Sequence, residues 1–128
     1  TTPRGLARLF KVLKQGGTVA VLPDQVPEAG LFVPFFGQAA FTDRLVHRLA
    51  LKSGATPLLV ALIRNPRGRF DVHYQTVPDL GQEDEILALT ALNVAVEYLV
   101  RQYPTQYQWE YKRFKKQPTG MQDPYKPL

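Results

Sequence analysis

The side chains that most often carry acid–base chemistry are scarce in this sequence. Its only histidines are His47 and His73, and it contains no cysteine. Neither histidine begins a His-x-x-x-x-Asp motif, because the fifth residues after them are Lys52 and Pro78. We therefore interpret both histidines as structural or surface residues. Since the usual phosphate-loop, dinucleotide, serine-hydrolase and zinc-protease motifs are also missing, the residues alone indicate no catalytic centre, no metal site and no cofactor.

An acidic and an amide side chain stand together at the end of a predicted strand. Thr18–Leu22 is rich in β-branched residues and is bounded by Gly17 and a proline, which predicts a buried strand. Asp24 and Gln25 follow it, at the strand end where open α/β sheets place ligand-contacting groups. The pair could bind a hydroxyl-rich substrate or orient a neighbouring base. A simple turn aspartate is the structural alternative.

A second segment, residues 32–37, reads Phe-Val-Pro-Phe-Phe-Gly and is too apolar for an ordinary solvated loop. It lies within Pro23–Ala40, which three prolines and two glycines mark as a long loop. Phe35 and Phe36 could plug the core, line a lipid pocket or contact a membrane. The residues leave these three interpretations open.

A third segment, residues 107–116, alternates aromatic with cationic side chains, including Lys112, Arg113 and Lys115. This mixture is typical of base stacking, of anchoring at an anionic membrane surface or of phosphate recognition. The net charge of +5 also suggests an anionic partner. Residues 1–22 hold four basic and no acidic side chains, and residues 101–128 hold six basic and two acidic ones, so both ends are basic.

Length and patterning predict the elements that position these segments. The 128 residues suit one domain, and the 45% hydrophobic content excludes a disordered chain. No charge-free apolar stretch reaches the roughly 18 residues of a membrane-spanning helix. Periodicity predicts helices over Pro3–Gln15, from an N-cap at Thr42 to a stop at Gly54, and from Glu83–Glu85 to about Tyr103.

The remaining strands are predicted at Pro57–Ile63 and Arg69–Val77, joined as a hairpin by a turn over residues 65–68. With the strand at Thr18–Leu22, the element order indicates an α/β fold with a mixed β-sheet flanked by helices.

Ordered signatures along almost the whole chain resemble those of a known family. They are the segments 16–25, 33–42, 49–50 and 54–55, then Asn93, Glu97, Arg101 and Pro104, and finally residues 106–107, 109–115 and Pro118. In type and spacing they resemble the bacterial lipid A biosynthesis acyltransferases, the lauroyl/myristoyl transferase group of the lysophospholipid acyltransferase superfamily. The resemblance implies a glycerolipid-acyltransferase-like α/β fold.

The resemblance also implies a reaction. Members of this family are expected to move a fatty acyl chain from acyl carrier protein to a hydroxyl of a phosphorylated lipid A precursor in lipopolysaccharide biosynthesis. The implied partners are the carrier protein and the phosphorylated glycolipid, with no nucleic acid. The implied location is the cytoplasmic face of the inner membrane, by peripheral association or through an anchoring N-terminal segment.

The wider superfamily uses a His-x-x-x-x-Asp or Glu motif as its base, which this chain lacks. We expect that motif upstream of Thr1. Residues 1–128 are thus predicted to be a single domain or the C-terminal half of a larger acyltransferase domain, with no catalytic residue of their own.

Site residues follow from the same resemblance. Asp24 and Gln25 fall where related enzymes bind the acceptor, and Arg113, supported by Lys112 and Lys115, would bind phosphate or the acidic carrier. Phe35 and Phe36 would face the acyl chain or lipid, because they are apolar. We interpret the helical series Asn93, Glu97 and Arg101 as structural. The alternatives are a non-catalytic fragment that binds a membrane or carrier, and a basic nucleic-acid-binding module.

Overall fold

The computed structural model describes residues 2–126. In chain order its elements are α1 (Pro3–Lys14), β1 (Gly30–Phe35), β2 (Gln38–Asp43), α2 (Leu45–Ser53), β3 (Leu58–Arg64), β4 (Phe70–Thr76) and α3 (Glu85–Gln102). Short 3₁₀ turns at Pro78–Gly81 and Pro104–Gln106 flank α3. The α/β class is confirmed. The strands pair as two antiparallel hairpins, β1–β2 and β3–β4, where the sequence predicted one mixed sheet.

The predicted helices are confirmed, with one change of cap. Thr2 caps α1 by accepting a hydrogen bond from Gly5 N–H at 3.1 Å. Asp84 caps α3 in the same way through Leu87 N–H. Gly54 ends α2 in the left-handed conformation, as predicted. Thr42 is not the N-cap of α2, because it lies inside β2 and is fully buried.

Two expectations for the first part of the chain are wrong. Thr18–Leu22 is not a hydrogen-bonded strand, because an extended segment needs a neighbouring strand and no ladder partner lies within residues 2–126. Pro23–Ala40 is not one long loop, since it contains β1 and the beginning of β2.

The β1–β2 hairpin was missed because its turn has an unusual sequence. Phe36 and Gly37 both have positive φ, 49° and 74°, as a two-residue hairpin turn with the strand twist requires. The residues usual at such a turn are Asn-Gly or Asp-Gly, so Phe36 concealed it. At the other end, a Cβ on Gly30 would lie 2.3 Å from the carbonyl oxygen of Thr42, so only glycine fits there.

The β3–β4 hairpin confirms the sequence prediction closely. Asn65 Oδ1 accepts hydrogen bonds from the N–H groups of Arg67 and Arg69 at 3.0 and 3.1 Å. Gly68 has a φ of 75°, which suits glycine. The turn therefore forms from local side-chain chemistry.

Helix α3 is the element around which the core assembles. Its buried hydrophobic side chains belong to two clusters. The first cluster consists of Val33, Val77, Leu80, Ala88, Leu89 and Leu92, and the second of Phe35, Ala40, Val96 and Val100. Tyr107 and Phe114 from the tail pack on the second cluster. In the part of the chain that the structure describes, no helix is both long and apolar enough to span a bilayer.

Candidate functional site

The loop that carries Asp24 and Gln25 is held by the aromatic and basic tail. The phenolic oxygen of Tyr111 accepts a hydrogen bond from Val26 N–H at 2.7 Å. Lys116 Nζ donates to the carbonyl oxygens of Pro27 and Glu28 at 2.7 and 2.9 Å. These bonds join residues more than 80 positions apart, so the tail decides where the loop lies.

Asp24 shares its surroundings with two side chains of the tail. Asp24 is half-buried, whereas Gln25 is exposed. Burial and, after it, the negative charge of Asp24 raise the pKa of Tyr107 to about 12. Burial lowers the pKa of Arg113, and the charges of Tyr107 and Asp24 oppose that change. The charge of Asp24 thus acts on Arg113, and the sequence predicted both residues to bind substrate.

Arg113 is buried among protein groups, with only 3% of its surface exposed. Its Nη1 donates to the carbonyl oxygen of Phe41 at 2.7 Å, and its Nη2 donates to Thr42 Oγ1 at 3.0 Å. Within residues 2–126 its Nε atom has no hydrogen-bond partner. The guanidinium therefore ties the tail to β2. Phosphate binding by Arg113 stays a prediction.

Thr42 is the centre of a small buried network. Its hydroxyl donates to the carbonyl oxygen of Ala40 at 3.0 Å and accepts from Arg113 and from Asn93 Nδ2, the latter at 3.2 Å. Asn93 also donates to the carbonyl oxygen of Pro34 at 2.9 Å. Because buried polar groups are costly without partners, this network fixes β1, β2, α3 and the tail relative to one another.

The two phenylalanines assigned to lipid contact occupy different environments. Phe35 is a core side chain, 2% exposed, and the Tyr107 and Phe114 rings lie 6.4 and 6.1 Å from its centroid. Phe36 is half-buried, and the Arg101 guanidinium lies 4.9 Å from its ring centroid. The core interpretation of this segment fits Phe35. Lipid contact by either ring stays a prediction.

Helix α3 holds the turn at Phe36 in place. Glu97 Oε1 accepts a hydrogen bond from Phe36 N–H at 2.6 Å, and Glu97 Oε2 lies 3.6 Å from Arg101 Nη2. The structural role predicted for Asn93, Glu97 and Arg101 is confirmed in these contacts. What the sequence did not indicate is their target, the backbone of the first hairpin.

Lys112 and Lys115 are the exposed cations of the predicted site. Lys112 Nζ lies 5.7 Å from the ring centroid of Tyr125, and Lys115 Nζ lies 5.2 Å from that of Tyr111. Both ammonium groups can bind an anion without giving up a buried hydrogen-bond partner.

The sequence did not indicate that Tyr111 and Lys116 hold the loop, because alternating aromatic and basic side chains do not show which of them point inward.

Both histidines have structural surroundings. His47 is buried, with Nε2 2.9 Å from the carbonyl oxygen of Gln82 and Nδ1 3.6 Å from Glu85 Oε1. Arg44 binds the same Glu85 carboxylate through two hydrogen bonds and lowers its pKa. His73 packs edge-on against the Tyr103 ring, with 5.1 Å between centroids.

The groove beside α3 does not coincide with the predicted site residues. An open groove of about 710 Å³ lies between β4 and α3, and its lining includes none of the site residues predicted from sequence. Among residues 2–126, no three histidine or carboxylate side chains gather as metal ligands would. The candidate site is therefore the Asp24 loop and the tail that holds it.

Comparison with known proteins gives a consistent result. The family described as bacterial lipid A biosynthesis acyltransferase matches residues 2–116. The lipid A biosynthesis lauroyltransferase of Escherichia coli (strain K12) is 31% identical over 127 residues. That match covers 95% of this chain and 42% of the relative, so the chain spans less than half of that protein's length. The motifs, the fold and the extent of the family match agree, and the chain belongs to the bacterial lipid A biosynthesis acyltransferase family.

Proposed function

We propose that this chain forms the acceptor side of an enzyme that transfers a fatty acyl chain from acyl carrier protein to a hydroxyl of a phosphorylated lipid A precursor. Family membership supports the reaction class. The observation that supports the assignment of the site is the Asp24 loop, which Tyr111 and Lys116 of the tail hold by hydrogen bonds and whose Asp24 charge acts on Arg113.

The reaction sets the roles of the residues. The acceptor oxygen bonds to the acyl carbonyl carbon, the thioester C–S bond breaks, and the carrier thiol leaves with the proton. Removing the acceptor proton requires a base, which we assign to a His-x-x-x-x-Asp or Glu motif outside these 128 residues. Asp24 and Gln25 then orient the acceptor hydroxyl by accepting from it and donating to it.

The cations supply recognition of negative charge. Lys112 and Lys115 are exposed and free to contact the acceptor phosphate or the acidic carrier protein. Arg113 adds positive potential from its buried position and keeps the tail in place. We further propose that Phe36, the more accessible of the two phenylalanines, faces the acyl chain or the membrane, with Phe35 behind it.

Of the alternatives, a nucleic-acid-binding module has less support. Stacking on bases requires free aromatic faces, yet the Tyr107 and Phe114 rings pack on the core cluster that contains Phe35. Trp109, which is 55% exposed, packs edge-on against Tyr107. We propose instead peripheral association with the inner membrane, in keeping with a lipid substrate. The next experiment distinguishes acyl transfer from the remaining alternative, a non-catalytic fragment that binds a membrane or the carrier protein.

A chimera tests the proposal directly. This chain replaces the matched 42% of the E. coli lauroyltransferase, and the product is assayed with acylated carrier protein and a phosphorylated disaccharide acceptor. We expect acyl transfer by the chimera and almost none by the 128 residues alone, which lack the base. Asp24→Ala should lower kcat by at least about tenfold, because the acceptor of one positioning hydrogen bond is lost.

Charge reversal completes the test. Lys112→Glu with Lys115→Glu should raise KM for the acceptor or the carrier, and the effect should weaken at high salt. Lys11→Glu with Lys14→Glu on α1 is the matched control, since both lysines are also exposed. A folded chimera without acyl transfer would support the non-catalytic fragment, and wild-type kinetics in both site variants would refute the assignment of the site.

A further inference from the structure

One face of the β3–β4 hairpin is apolar and uncovered. Its side chains are Leu58, Val60, Leu62, Phe70, Val72 and Tyr74, each between 54% and 74% exposed. The register places Val60 opposite Tyr74 and Leu62 opposite Val72, so the side chains form one continuous surface. We call this surface the open face. Contiguous exposed apolar patches of this kind are typical of surfaces that bind a partner.

The composition of β3 suits a strand covered on both sides. Leu58–Ile63 is an unbroken apolar run, whose inward-pointing members Leu59, Ala61 and Ile63 are less exposed than their neighbours. Strands with one solvated face alternate apolar and polar residues, whereas strands buried on both faces read as continuous apolar runs. The run therefore predicts a second layer over the open face.

The outer edge of β3 is also available. Arg64 N–H donates to Gln106 Oε1 at 2.8 Å, and Gln106 Nε2 donates to the Arg64 carbonyl oxygen at 3.0 Å, so one side-chain amide occupies the end of this edge. Alternate residues of an antiparallel strand direct their backbone groups to the same edge. Those of Leu58, Val60 and Leu62 thus point outward, and across residues 2–126 the one ladder partner of β3 is β4.

These features together select the kind of partner. A bilayer could accept the open face, with Arg64, Arg67 and Arg69 at its rim, but an unpaired strand edge has no hydrogen-bond partners in hydrocarbon. A polypeptide can satisfy both features, since it adds a strand to the edge and covers the face with apolar side chains. The relative has ample chain to supply such a segment, because the match leaves 58% of that protein outside it.

We propose that the open face and the outer edge of β3 bind an apolar polypeptide segment corresponding to the part of the lauroyltransferase outside the match. The segment pairs with β3 through the backbone of Leu58, Val60 and Leu62 and buries their side chains. This docking rests on the family assignment behind the proposed function, yet it requires no turnover.

Hydrogen exchange on the 128-residue chain and on the chimera described above tests the docking. In the chain alone, the amides of Leu58, Val60 and Leu62 should exchange quickly because they face solvent. In the chimera they should exchange at least about tenfold more slowly, as newly paired strand amides do. An inactive chimera that shows this protection would refute the proposed function and leave the docking intact.

Matched triple variants identify the surface. Leu58→Thr, Val60→Thr and Leu62→Thr together should leave the chain alone folded, since these side chains are 56–62% exposed, and should abolish the protection in the chimera. Ile86→Gln, Leu87→Gln and Val94→Gln on α3 have 55–57% exposed side chains and should leave it unchanged. Three results would overturn the proposal: unchanged exchange in the chimera, a dimer of the chain that protects the open face, or protection by anionic phospholipid vesicles alone.

Discussion

The two hairpins of this protein have the same secondary structure and opposite surroundings. Hairpin β1–β2 has a turn that its own sequence does not favour, and side chains from α3 and the tail hold its backbone. Hairpin β3–β4 has a turn made by Asn65 and Gly68, yet one of its faces is uncovered.

The comparison separates what forms a hairpin from what stabilises it. Hairpin β3–β4 needs only local hydrogen bonds to choose its register. Hairpin β1–β2 places Phe36 in a conformation that costs a non-glycine residue about 1 kcal/mol or more, and the surrounding contacts offset this cost. The first hairpin is therefore determined by tertiary structure, and the second by its own sequence.

The largest expected difference lies between two phenylalanines. Phe35 on the first hairpin is 2% exposed, and Phe70 on the second is 54% exposed. Phe35→Ala should lower the free energy of unfolding by about 4 kcal/mol, because it leaves a cavity in the core. Phe70→Ala should lower it by less than about 1 kcal/mol, mainly through the lost contact with Arg64. Urea unfolding of both variants measures the difference, and similar losses would contradict the contrast.

A smaller difference is expected between the two turns. Glu97→Ala removes the acceptor of the Phe36 N–H bond and should cost about 2 kcal/mol, as expected for a part-buried bond to a charged group. Glu97→Gln keeps an acceptor oxygen and should cost less than about 1 kcal/mol.

Asn65→Ala is the matched change in the other turn. Because that turn is exposed, water replaces the lost acceptor, and we expect a cost of about 1 kcal/mol. If Glu97→Gln proved as damaging as Glu97→Ala, the ion pair with Arg101 would matter more than the bond to the turn.

The last expected effect, similar in size to those at the turns, concerns alkaline pH and the tail that packs on the first hairpin. The pKa of Tyr107 is raised from 10.0 to about 12 in the folded protein. Between these values the unfolded chain has lost the phenolic proton and the folded protein keeps it, so stability falls as pH rises. The slope from this group is at most about 1.4 kcal/mol per pH unit.

Urea unfolding from pH 7 to about 11 measures this slope. Tyr107→Phe should reduce the decline above pH 10. Tyr74→Phe, at a ring that is 74% exposed on the second hairpin, should leave it as in the parent protein. An equal reduction in both variants would show that the buried position of Tyr107 is not the cause.

Sequence patterns predicted the features that depend on neighbouring residues. Helical periodicity gave α1, α2 and α3, the Asp84 region and Gly54 marked helix ends, and Asn65 and Gly68 marked a turn. The family was recognised on the same basis, since ordered motifs are a property of the sequence. The prediction of a strand at Thr18–Leu22 was wrong, because a strand needs a neighbouring strand to pair with. The composition of the segment does not show whether such a partner is present.

The sequence predicted which residues bind substrate, and that prediction is separate from how the structure arranges them. Asp24 and Arg113 were both predicted to bind substrate, and the negative charge of Asp24 opposes the lowering of the Arg113 pKa by burial. That Arg113 would be buried against Phe41 and Thr42, while Lys112 and Lys115 stay exposed, was not predictable, because a run of basic residues has no periodicity that separates inward from outward side chains.

The sequence by itself determined the family, the helices and the β3–β4 hairpin, because each rests on residue types at short spacing. Only the tertiary structure decided the β1–β2 hairpin, the burial of Arg113 and the anchoring of the Asp24 loop by Tyr111 and Lys116. These features join residues tens of positions apart, and their stability comes from burial and from paired polar groups that exist only once the chain has folded.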